Sequence, residues 1–378
     1  MLFFYIIISN IYKNKNKYYN IMNFKINNKA FNYIKDDNNN TIINSYNKKY
    51  NIYYNKKQLT QLISEIYIKD DFIFIDKNVY NLDKTCLNNI DEKYYFIFDA
   101  VEQNKTIEYV FKIIDMLLEL KFNKKNKLIV IGGGITQDVG GFVSAIYKRG
   151  IKWIFIPTTL LSMTDSAIGG KVSINRDSKN MLGLFSSPDD IYISEYFLKS
   201  LSDDDIISGL GEALKLCIIA GENEYNYFKE NVTSKNYTNI IKISSSIKKT
   251  IVEYDEFDKN ERKILNYGHT IGHALESTSN YFIPHGIAVL FGIYIKNKLF
   301  YGDKYNELNN YILSLIPNKF KNINLSYNIF LEHIINDKKN DGDKICFIIL
   351  NDFGDSSLIY KGINEISDME EIFNKLFL

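Results

Sequence analysis

Residues 262–286 read RKILNYGHTIGHALESTSNYFIPHG and contain three of the four histidines in this 378-residue chain. His269 and His273 stand four residues apart, so on a helix both side chains project to the same side. A third histidine, His285, follows after a short interval. Clustered histidines are typical of a zinc-type site in which the protein ligands leave one position open. Spacing alone therefore predicts a metal centre with His269, His273 and His285 at the metal.

Composition limits the classes of protein to which the chain can belong. Hydrophobic residues make up 46% of it, which is enough for a large core and about two domains. The 46 basic and 45 acidic side chains nearly cancel, so no overall charge favours nucleic acid or a membrane as partner. Cys86, Cys217 and Cys346 are far apart and odd in number, which indicates buried thiols in a reducing compartment, the cytoplasm.

The first residues differ from the rest of the chain. The apolar run at residues 2–8 is too short to span a bilayer and lacks the flanking features of a secretory signal. A low-complexity stretch follows, and Met22 begins a more ordinary strand-like segment. We expect residues 1–21 to be a dispensable extension, a hypothesis that fails if their removal abolishes folding.

Between about residue 70 and residue 198, short apolar runs alternate with helical periodicity. Such alternation is typical of a mostly parallel sheet covered on both faces, and it predicts an α/β domain over residues 22–198. The expected strands are residues 71–76, 95–99, 127–131 and 151–156, and the expected helices are residues 107–120 and 137–148.

From about residue 199 the pattern becomes mainly helical, with one apolar run at residues 345–350 that suits a late strand. We therefore predict an all-α domain over residues 199–378, which contains the histidine cluster of the predicted metal centre. The expected helices are residues 203–220, 239–252, 271–277 and 287–299.

The strand expected at residues 127–131 runs into Gly132, Gly133 and Gly134 and then into a helix. Glycine lets the backbone approach an anion, and a helix N-terminus offers free N–H donors, so this turn suits a dinucleotide or a phosphate. It is not the Gly-x-Gly-x-x-Gly form, which makes an ordinary Rossmann dehydrogenase a poor match. A tight strand-to-helix turn is the alternative interpretation.

Asp165, Lys171, Lys179 and Asn180 lie close together in the sequence. They suit a polyhydroxylated anionic ligand, because lysine binds phosphate while Asp and Asn bind hydroxyls. A solvated surface loop is the alternative.

Glu212 and Lys215 stand three residues apart in an expected helix, so both lie on one face. A surface ion pair is the alternative here. The small and apolar neighbours of the pair weaken that alternative.

Taken together, these segments resemble the 3-dehydroquinate synthase family of sugar-phosphate cyclases. The resemblance runs from about residue 76 to residue 350 and is firmest at residues 132–183, 209–215 and 262–286. It implies that the α/β domain binds NAD, that the helical domain holds one divalent metal and binds the substrate, and that a cleft separates them. The metal implied is zinc, with cobalt as the alternative.

The resemblance also assigns roles to single residues. It makes Glu212, His269 and His285 the metal ligands and moves His273 to the substrate pocket. The implied cofactor contacts are Asp76, Asn78, Glu102, Lys105, Gly132, Gly133, Gly134, Asp138, Thr158, Thr159, Lys171 and Lys179. The implied substrate contacts are Asp165, Lys171, Asn180, Lys215, Lys248, Arg262, Asn266, His273 and one of Lys338 and Lys339.

The implied reaction cyclises a seven-carbon keto sugar acid phosphate, 3-deoxy-D-arabino-heptulosonate 7-phosphate, to 3-dehydroquinate in the shikimate pathway. NAD oxidises one hydroxyl transiently, phosphate is eliminated, and the hydride returns. Arg262 beside Lys248 favours a carboxylated substrate, since a guanidinium holds a carboxylate by two parallel hydrogen bonds. The resemblance further implies a homodimer in which Arg149 reaches the neighbouring active site.

Three positions depart from the family pattern. Gln137 replaces a small residue, the segment between Lys171 and Lys179 is one residue shorter than usual, and Ile287 replaces a glutamate next to a metal ligand. Such a carboxylate would orient the ligand. Three alternatives therefore stay open: another sugar-phosphate cyclase that makes a different carbocycle, a metal-dependent polyol dehydrogenase, and a non-enzymatic binding protein.

Overall fold

The computed structural model describes residues 21–34, 38–46, 48–337 and 340–377. The expected dispensable extension, apart from Ile21, lies outside the described residues, and so do the substrate candidates Lys338 and Lys339. In chain order the strands described are β1 (Ile21–Ile26), β2 (Lys29–Ile34), β3 (Asn40–Asn44), β4 (Lys49–Asn55), β5 (Phe72–Asp76), β6 (Tyr95–Phe98), β7 (Lys127–Gly132), β8 (Lys152–Pro157), β9 (Lys171–Arg176), β10 (Ser178–Phe185), β11 (Asp190–Ser194), β12 (Lys344–Asp352) and β13 (Asp355–Gly362).

Helices pack against the first sheet and make up most of the second half of the chain. The α-helices described are α1 (Leu59–Ile66), α2 (Lys77–Leu82), α3 (Ile107–Glu119), α4 (Gly134–Ile146), α5 (Asp203–Ala220), α6 (Glu222–Thr233), α7 (Tyr237–Tyr254), α8 (His269–Thr278), α9 (His285–Tyr301), α10 (Asn306–Leu315), α11 (Asn318–Lys321), α12 (Tyr327–Ile335) and α13 (Met369–Phe377).

The first half of the chain is built on a seven-stranded sheet of order β3-β4-β11-β8-β7-β5-β6. Its neighbouring strands run parallel except for β3, which pairs antiparallel with β4 at one edge. Every residue of β5 is buried, as expected for a strand covered on both faces. The mostly parallel sheet predicted from the alternating pattern is therefore confirmed.

Parallel pairing brings two predicted ligand-binding turns to one edge of this sheet. β7 ends at Gly132 and β8 ends at Pro157, and these two residues are register partners. The amide of Thr158 donates to the carbonyl of Gly132 at 3.0 Å. The glycine turn and the segment after Pro157 thus meet where ligands of open α/β sheets usually bind.

β9 and β10 form an antiparallel hairpin that the sequence pattern does not predict. Their register shifts between Ser178 and Leu182, and most of β10 is exposed. A mainly exposed, bulged strand lacks the alternation of buried and exposed residues that marks a strand in a sequence. The compact group from Asp165 to Asn180 consequently spans a turn and a hairpin instead of one loop.

The second half is helical, as predicted, and α5 matches its expected bounds. α9 buries side chains around most of its circumference, which indicates a helix at the centre of the core. The late strand expected at residues 345–350 is part of β12. Within the described residues, no helix combines the length and apolarity that crossing a membrane requires. The three cysteines are free and buried, as expected.

The helical half also carries a small sheet of order β12-β13-β1-β2. β13 pairs parallel with β1, placing Asp355 opposite Lys25 and Ser356 opposite Ile26. This sheet therefore joins the start of the described chain to its last strands.

Candidate active site

Three helices bring the candidate metal ligands together. Glu212 lies in α5, and His269 and His285 are the first residues of α8 and α9. Glu212 Oε1 lies 3.4 Å from His269 Nε2 and 3.3 Å from His285 Nε2. Residues up to 73 positions apart in the sequence thus point ligand atoms at one another.

The surroundings of Glu212 test whether these residues suit a metal. Its side chain is almost fully buried, and Oε1 has no hydrogen-bond partner of good geometry. A buried carboxylate oxygen without a hydrogen-bond partner destabilises the folded state. One carboxylate and two imidazoles are a usual donor set for a catalytic divalent metal, which would satisfy Oε1. The residues present therefore fit such a metal.

His273 joins the same cluster, as the four-residue spacing predicted. Ligand nitrogens of His269, His273 and His285 lie within 4.8 Å of one another. The His273 ring centroid is 5.2 Å from that of His269 and 5.6 Å from that of His285. His273 is the exposed member, whereas His269 is buried.

Glycines beside the ligands let the three helices approach closely. A Cβ on Gly286 would lie 1.8 Å from the carbonyl oxygen of Ser208, and one on Gly211 would lie 2.2 Å from that of Gly286. Gly268, which precedes His269, has φ 81° and faces the carbonyl oxygen of Val289. The distance between ligands is therefore set by backbone contacts that only glycine allows.

Alternating charges extend from Glu212 toward the hairpin side of the site. Lys215 forms ion pairs with Glu212 and with Asp165, the latter at 3.7 Å. Lys248 Nζ lies 2.9 Å from the same Asp165 carboxylate. Burial opposes ionisation of Asp165, yet the two lysines lower its pKa, and the two carboxylates raise the pKa of Lys215 despite its burial.

A second group of cations adjoins Lys248. The pKa of Lys248 is lowered to about 8, mainly by burial and also by the positive charge of Arg262. Arg262 is almost fully buried and donates to the main-chain carbonyls of Gly169, at 3.0 Å, and Glu256. Lys171 pairs with Asp258 beside it. The predicted substrate residues Lys171, Lys248 and Arg262 thus lie together.

The glycine turn fits a phosphate-bearing cofactor. Gly133 caps the N-terminus of α4 without any side-chain cap, which leaves main-chain donors of the first turn available. A Cβ on Gly132 would lie 2.5 Å from Thr136 Oγ1, and one on Gly133 would lie 3.0 Å from Thr159 Cγ2. Thr136 Oγ1 is buried without a hydrogen-bond partner. The turn therefore offers donors and close backbone access to an anion.

Other predicted cofactor residues contact α2, α4 and the hairpin. Lys105 pairs with Asp138 and donates to Asn180 Oδ1, which links the glycine turn to the hairpin. Asp76 caps α2 by accepting from the amide of Asn78 at 2.7 Å. The Glu102 carboxylate accepts from Asn175 Nδ2 at 2.8 Å.

Two further predicted residues lie at the margins. Asn266 lines a cavity of about 290 Å³ together with Thr270 and Cys346. Arg149 is exposed just after α4, with φ 60°.

Glu276 is a site residue that the sequence analysis missed. Its carboxylate lies 2.9 Å from His285 Nδ1 and 3.2 Å from Lys179 Nζ. Burial favours the neutral form, but the charges of His285 and Lys179 lower the pKa of Glu276 to about 2. The signal was available, because Glu276 follows His269 by seven residues and so lies on the same helix face.

Two of the three sequence departures have a structural explanation. The Gln137 amide donates to the carbonyl of Ser166 at 2.7 Å and accepts from its hydroxyl, so it links α4 to the turn after β8. Ile287 is fully buried in the core. The carboxylate beside His285 is supplied by Glu276 instead.

The family model of the 3-dehydroquinate synthase N-terminal region matches residues 95–208, and that of the C-terminal region matches residues 209–340. A 3-dehydroquinate synthase of Clostridium tetani is 39% identical over 298 residues, which are 74% of this chain and 79% of that protein.

Solved structures of sugar-phosphate cyclases share the fold. A 2-deoxy-scyllo-inosose synthase in complex with carbaglucose-6-phosphate, NAD+ and Co2+ has a TM-score of 0.74 at 22% identity, covering 87% of this chain and 98% of its own. A 2-epi-5-epi-valiolone synthase of Streptomyces hygroscopicus with NAD+ and Zn2+ bound has a TM-score of 0.72 at 18% identity, covering 86% and 97%. On the family models and the C. tetani relative, the chain belongs to the 3-dehydroquinate synthase family.

Proposed function

We propose that this protein is a 3-dehydroquinate synthase that converts 3-deoxy-D-arabino-heptulosonate 7-phosphate to 3-dehydroquinate with elimination of phosphate. It would serve the shikimate pathway in the cytoplasm, in keeping with three free cysteines. Its cofactors would be NAD and one divalent metal, zinc with cobalt as the alternative, held by Glu212, His269 and His285.

The observation that carries this proposal is the group of cations Lys171, Lys248 and Arg262. The charge of Arg262 contributes, after burial, to the lowered pKa of both lysines. Lys171 and Lys248 each pair with one carboxylate, Asp258 and Asp165, whereas Arg262 donates to main-chain carbonyls, so the three cations together would stabilise a bound anion. A substrate that carries both a carboxylate and a phosphate would interact with these cations more strongly than the phosphate of a neutral sugar.

The remaining residues have roles that follow from their partners. Lys215, held as an ammonium by Glu212 and Asp165, would donate to a substrate hydroxyl, and Asp165 would accept from one. His273, the exposed histidine of the cluster, would contact the leaving phosphate. When bound, NAD supplies a reversible hydride acceptor and the metal a Lewis acid. The chain itself orients the substrate between the two.

The test is to incubate the purified protein with NAD, Zn2+ and the seven-carbon keto acid phosphate and to measure released phosphate and NADH. We expect phosphate without accumulation of NADH, because the hydride returns. Phosphate release only from a neutral sugar phosphate would assign a different cyclase. Accumulation of NADH would assign a polyol dehydrogenase, and inactivity toward every substrate would favour a binding protein.

Arg262→Lys tests the choice of a carboxylated substrate. We expect kcat/KM for the keto acid phosphate to fall roughly 10- to 100-fold, because lysine replaces a charged, planar donor poorly. Arg176→Lys is the matched control, since Arg176 is exposed at the hairpin tip. An unchanged kcat/KM in Arg262→Lys would contradict the assignment.

We also propose a homodimer in which Arg149 reaches the active site of the neighbouring protomer. The support is that Lys148 and Arg149 both adopt positive φ, 50° and 60°. Two successive non-glycine residues in this region are unfavourable unless the fold imposes them. The fold of the protomer therefore fixes the direction in which the exposed Arg149 segment points.

A further inference from the structure

Glu276 divides its carboxylate between two cations. It lies on α8, is 4% exposed, and contacts His285 Nδ1 through Oε2 and Lys179 Nζ through Oε1. His285 belongs to α9 and Lys179 to β10. One buried side chain thus connects the candidate metal site with the hairpin.

The contact with His285 determines which of its ring nitrogens faces the metal position. A neutral imidazole carries its proton on only one nitrogen. When Nδ1 donates to Glu276, the lone pair of Nε2 is left on the side of Glu212, 3.3 Å from Oε1. That is the tautomer a metal-binding Nε2 requires.

The other histidine ligand has a weaker partner. His269 Nδ1 faces the carbonyl oxygen of Tyr267 at 3.3 Å, whereas His285 faces a carboxylate at 2.9 Å. Ionised acceptors form the shorter and stronger hydrogen bonds. The orientation of His285 therefore depends on Glu276 more than that of His269 depends on its own neighbour.

We propose that Glu276 is a positioning residue for His285 and thereby sets the affinity of the site for its metal. This inference rests on the metal site of the proposed function and adds a residue outside the predicted ligand set. It also explains how the chain manages with Ile287, since the carboxylate next to His285 comes from the preceding helix.

The first test compares the affinity of the full chain for Zn2+, measured by competition with a chelator. Glu276→Ala is expected to weaken binding roughly 10- to 100-fold, the usual effect of losing such a partner. Glu276→Gln retains a hydrogen-bond acceptor and should lose less. Glu224→Gln is the control. Glu224 lies on α6, is equally buried at 4% exposure, and its carboxylate accepts a hydrogen bond from the Tyr33 hydroxyl at 2.6 Å.

A second measurement reports on orientation without activity. Long-range 15N–1H spectra of the Zn2+-loaded protein distinguish histidine tautomers, and the chain has only four histidines. We expect a proton on His285 Nδ1 in the parent protein and in Glu276→Gln. Glu276→Ala should show a mixture of tautomers.

Lys179→Met separates the two contacts of Glu276. It removes the ion pair with the hairpin and leaves the bond to His285, so Zn2+ affinity should change less than threefold. If Lys179→Met lost as much affinity as Glu276→Ala, the carboxylate would act through the hairpin and the proposal would fall. Equal affinity of Glu276→Ala and the parent protein would also overturn it while leaving the metal site intact. If the parent protein bound no Zn2+, the metal site itself would fail.

Discussion

At the scale of single residues, the site is a series of contacts between opposite charges. Lys248, Asp165, Lys215 and Glu212 follow one another, and Glu212 then faces His285. Each buried charge in this series has an opposite neighbour, without which burial would be very costly. Removing one member therefore leaves its neighbours unbalanced, so variants within the series will not have additive effects.

The Lys248 pKa of about 8 gives a pH prediction. Below that pH the free enzyme carries an ammonium group that attracts the anionic substrate, and above it a neutral amine. Because kcat/KM reports ionisations of the free enzyme, it should decline as pH rises through about 8. The pH profile of Lys248→Met should lack this decline. If the decline persisted in the variant, another group would be responsible.

The spacing of residues in the sequence predicted some of the contacts within the site. The pair His269 and His273 could be expected on one face because local helix geometry fixes it. The approach of Glu212 to His285 could not, since it depends on how α5 packs against α9. Glu276 was within reach of spacing alone, but its burial and its contact with Lys179 become visible only in three dimensions.

At the scale of elements, α9 is the centre of the helical half. Its first turn supplies His285, and its neighbours α5 and α8 supply the other candidate ligands. Regular periodicity predicted these helices well. The hairpin of β9 and β10 was not predicted, because exposure and the bulge remove the alternation on which strand prediction depends.

Gly286→Ala tests the close contact of α5 and α9. The added methyl would meet main-chain atoms of Ser208, so the helices must separate. We expect a loss of at least about 1–3 kcal/mol of stability and weaker Zn2+ binding, measured by thermal unfolding and chelator competition. Gly362→Ala is the control, where the nearest atom is 3.6 Å away. Unchanged melting and affinity in Gly286→Ala would rule out this packing.

Lys296 is a destabilising group within α9. Its amine is buried without a hydrogen-bond partner, 2.9 Å from the centroid of the Tyr267 ring, and burial lowers its pKa well below the usual value. At neutral pH this lysine is protonated in the unfolded chain, whereas burial disfavours its protonation in the native state. Protonation therefore favours unfolding. Lys296→Met should therefore raise the free energy of unfolding by roughly 1–3 kcal/mol.

The same argument fixes the pH dependence. The gain from Lys296→Met should shrink as pH approaches about 10.4, where lysine in the unfolded chain also loses its proton. Lys298→Met, on the same helix but paired with Asp303 at 2.8 Å, is the control and should not stabilise. A less stable Lys296→Met variant would refute the argument.

At the scale of the whole molecule, the proposed dimer makes a prediction for mixed protomers. Glu212→Gln lacks a proposed metal ligand, and Arg149→Ala lacks the group proposed to act across the interface. In a mixed dimer, one site has Glu212 from one protomer and Arg149 from the other. Dissociating and reassembling an equal mixture should therefore restore about a quarter of the parent activity. No recovery, or a monomeric mass in solution, would exclude the shared site.

The sequence predicted the overall division into a parallel α/β half and a helical half, because each has its own local periodicity. It did not predict that β1 and β2 pack with β12 and β13. The parallel pairing of β1 with β13 joins residues more than 300 positions apart, and no local pattern carries that information.

This pairing also bears on how the nascent chain folds. β1 and β2 leave the ribosome well before β12 and β13, and a lone two-stranded hairpin is only marginally stable in water. Its open edge must wait for β13, which is synthesised more than 300 residues later, and an unpaired edge invites association with other chains. Completing the small sheet is thus a slow, long-range step. We expect holdase chaperones to be needed most before residue 362 has been made.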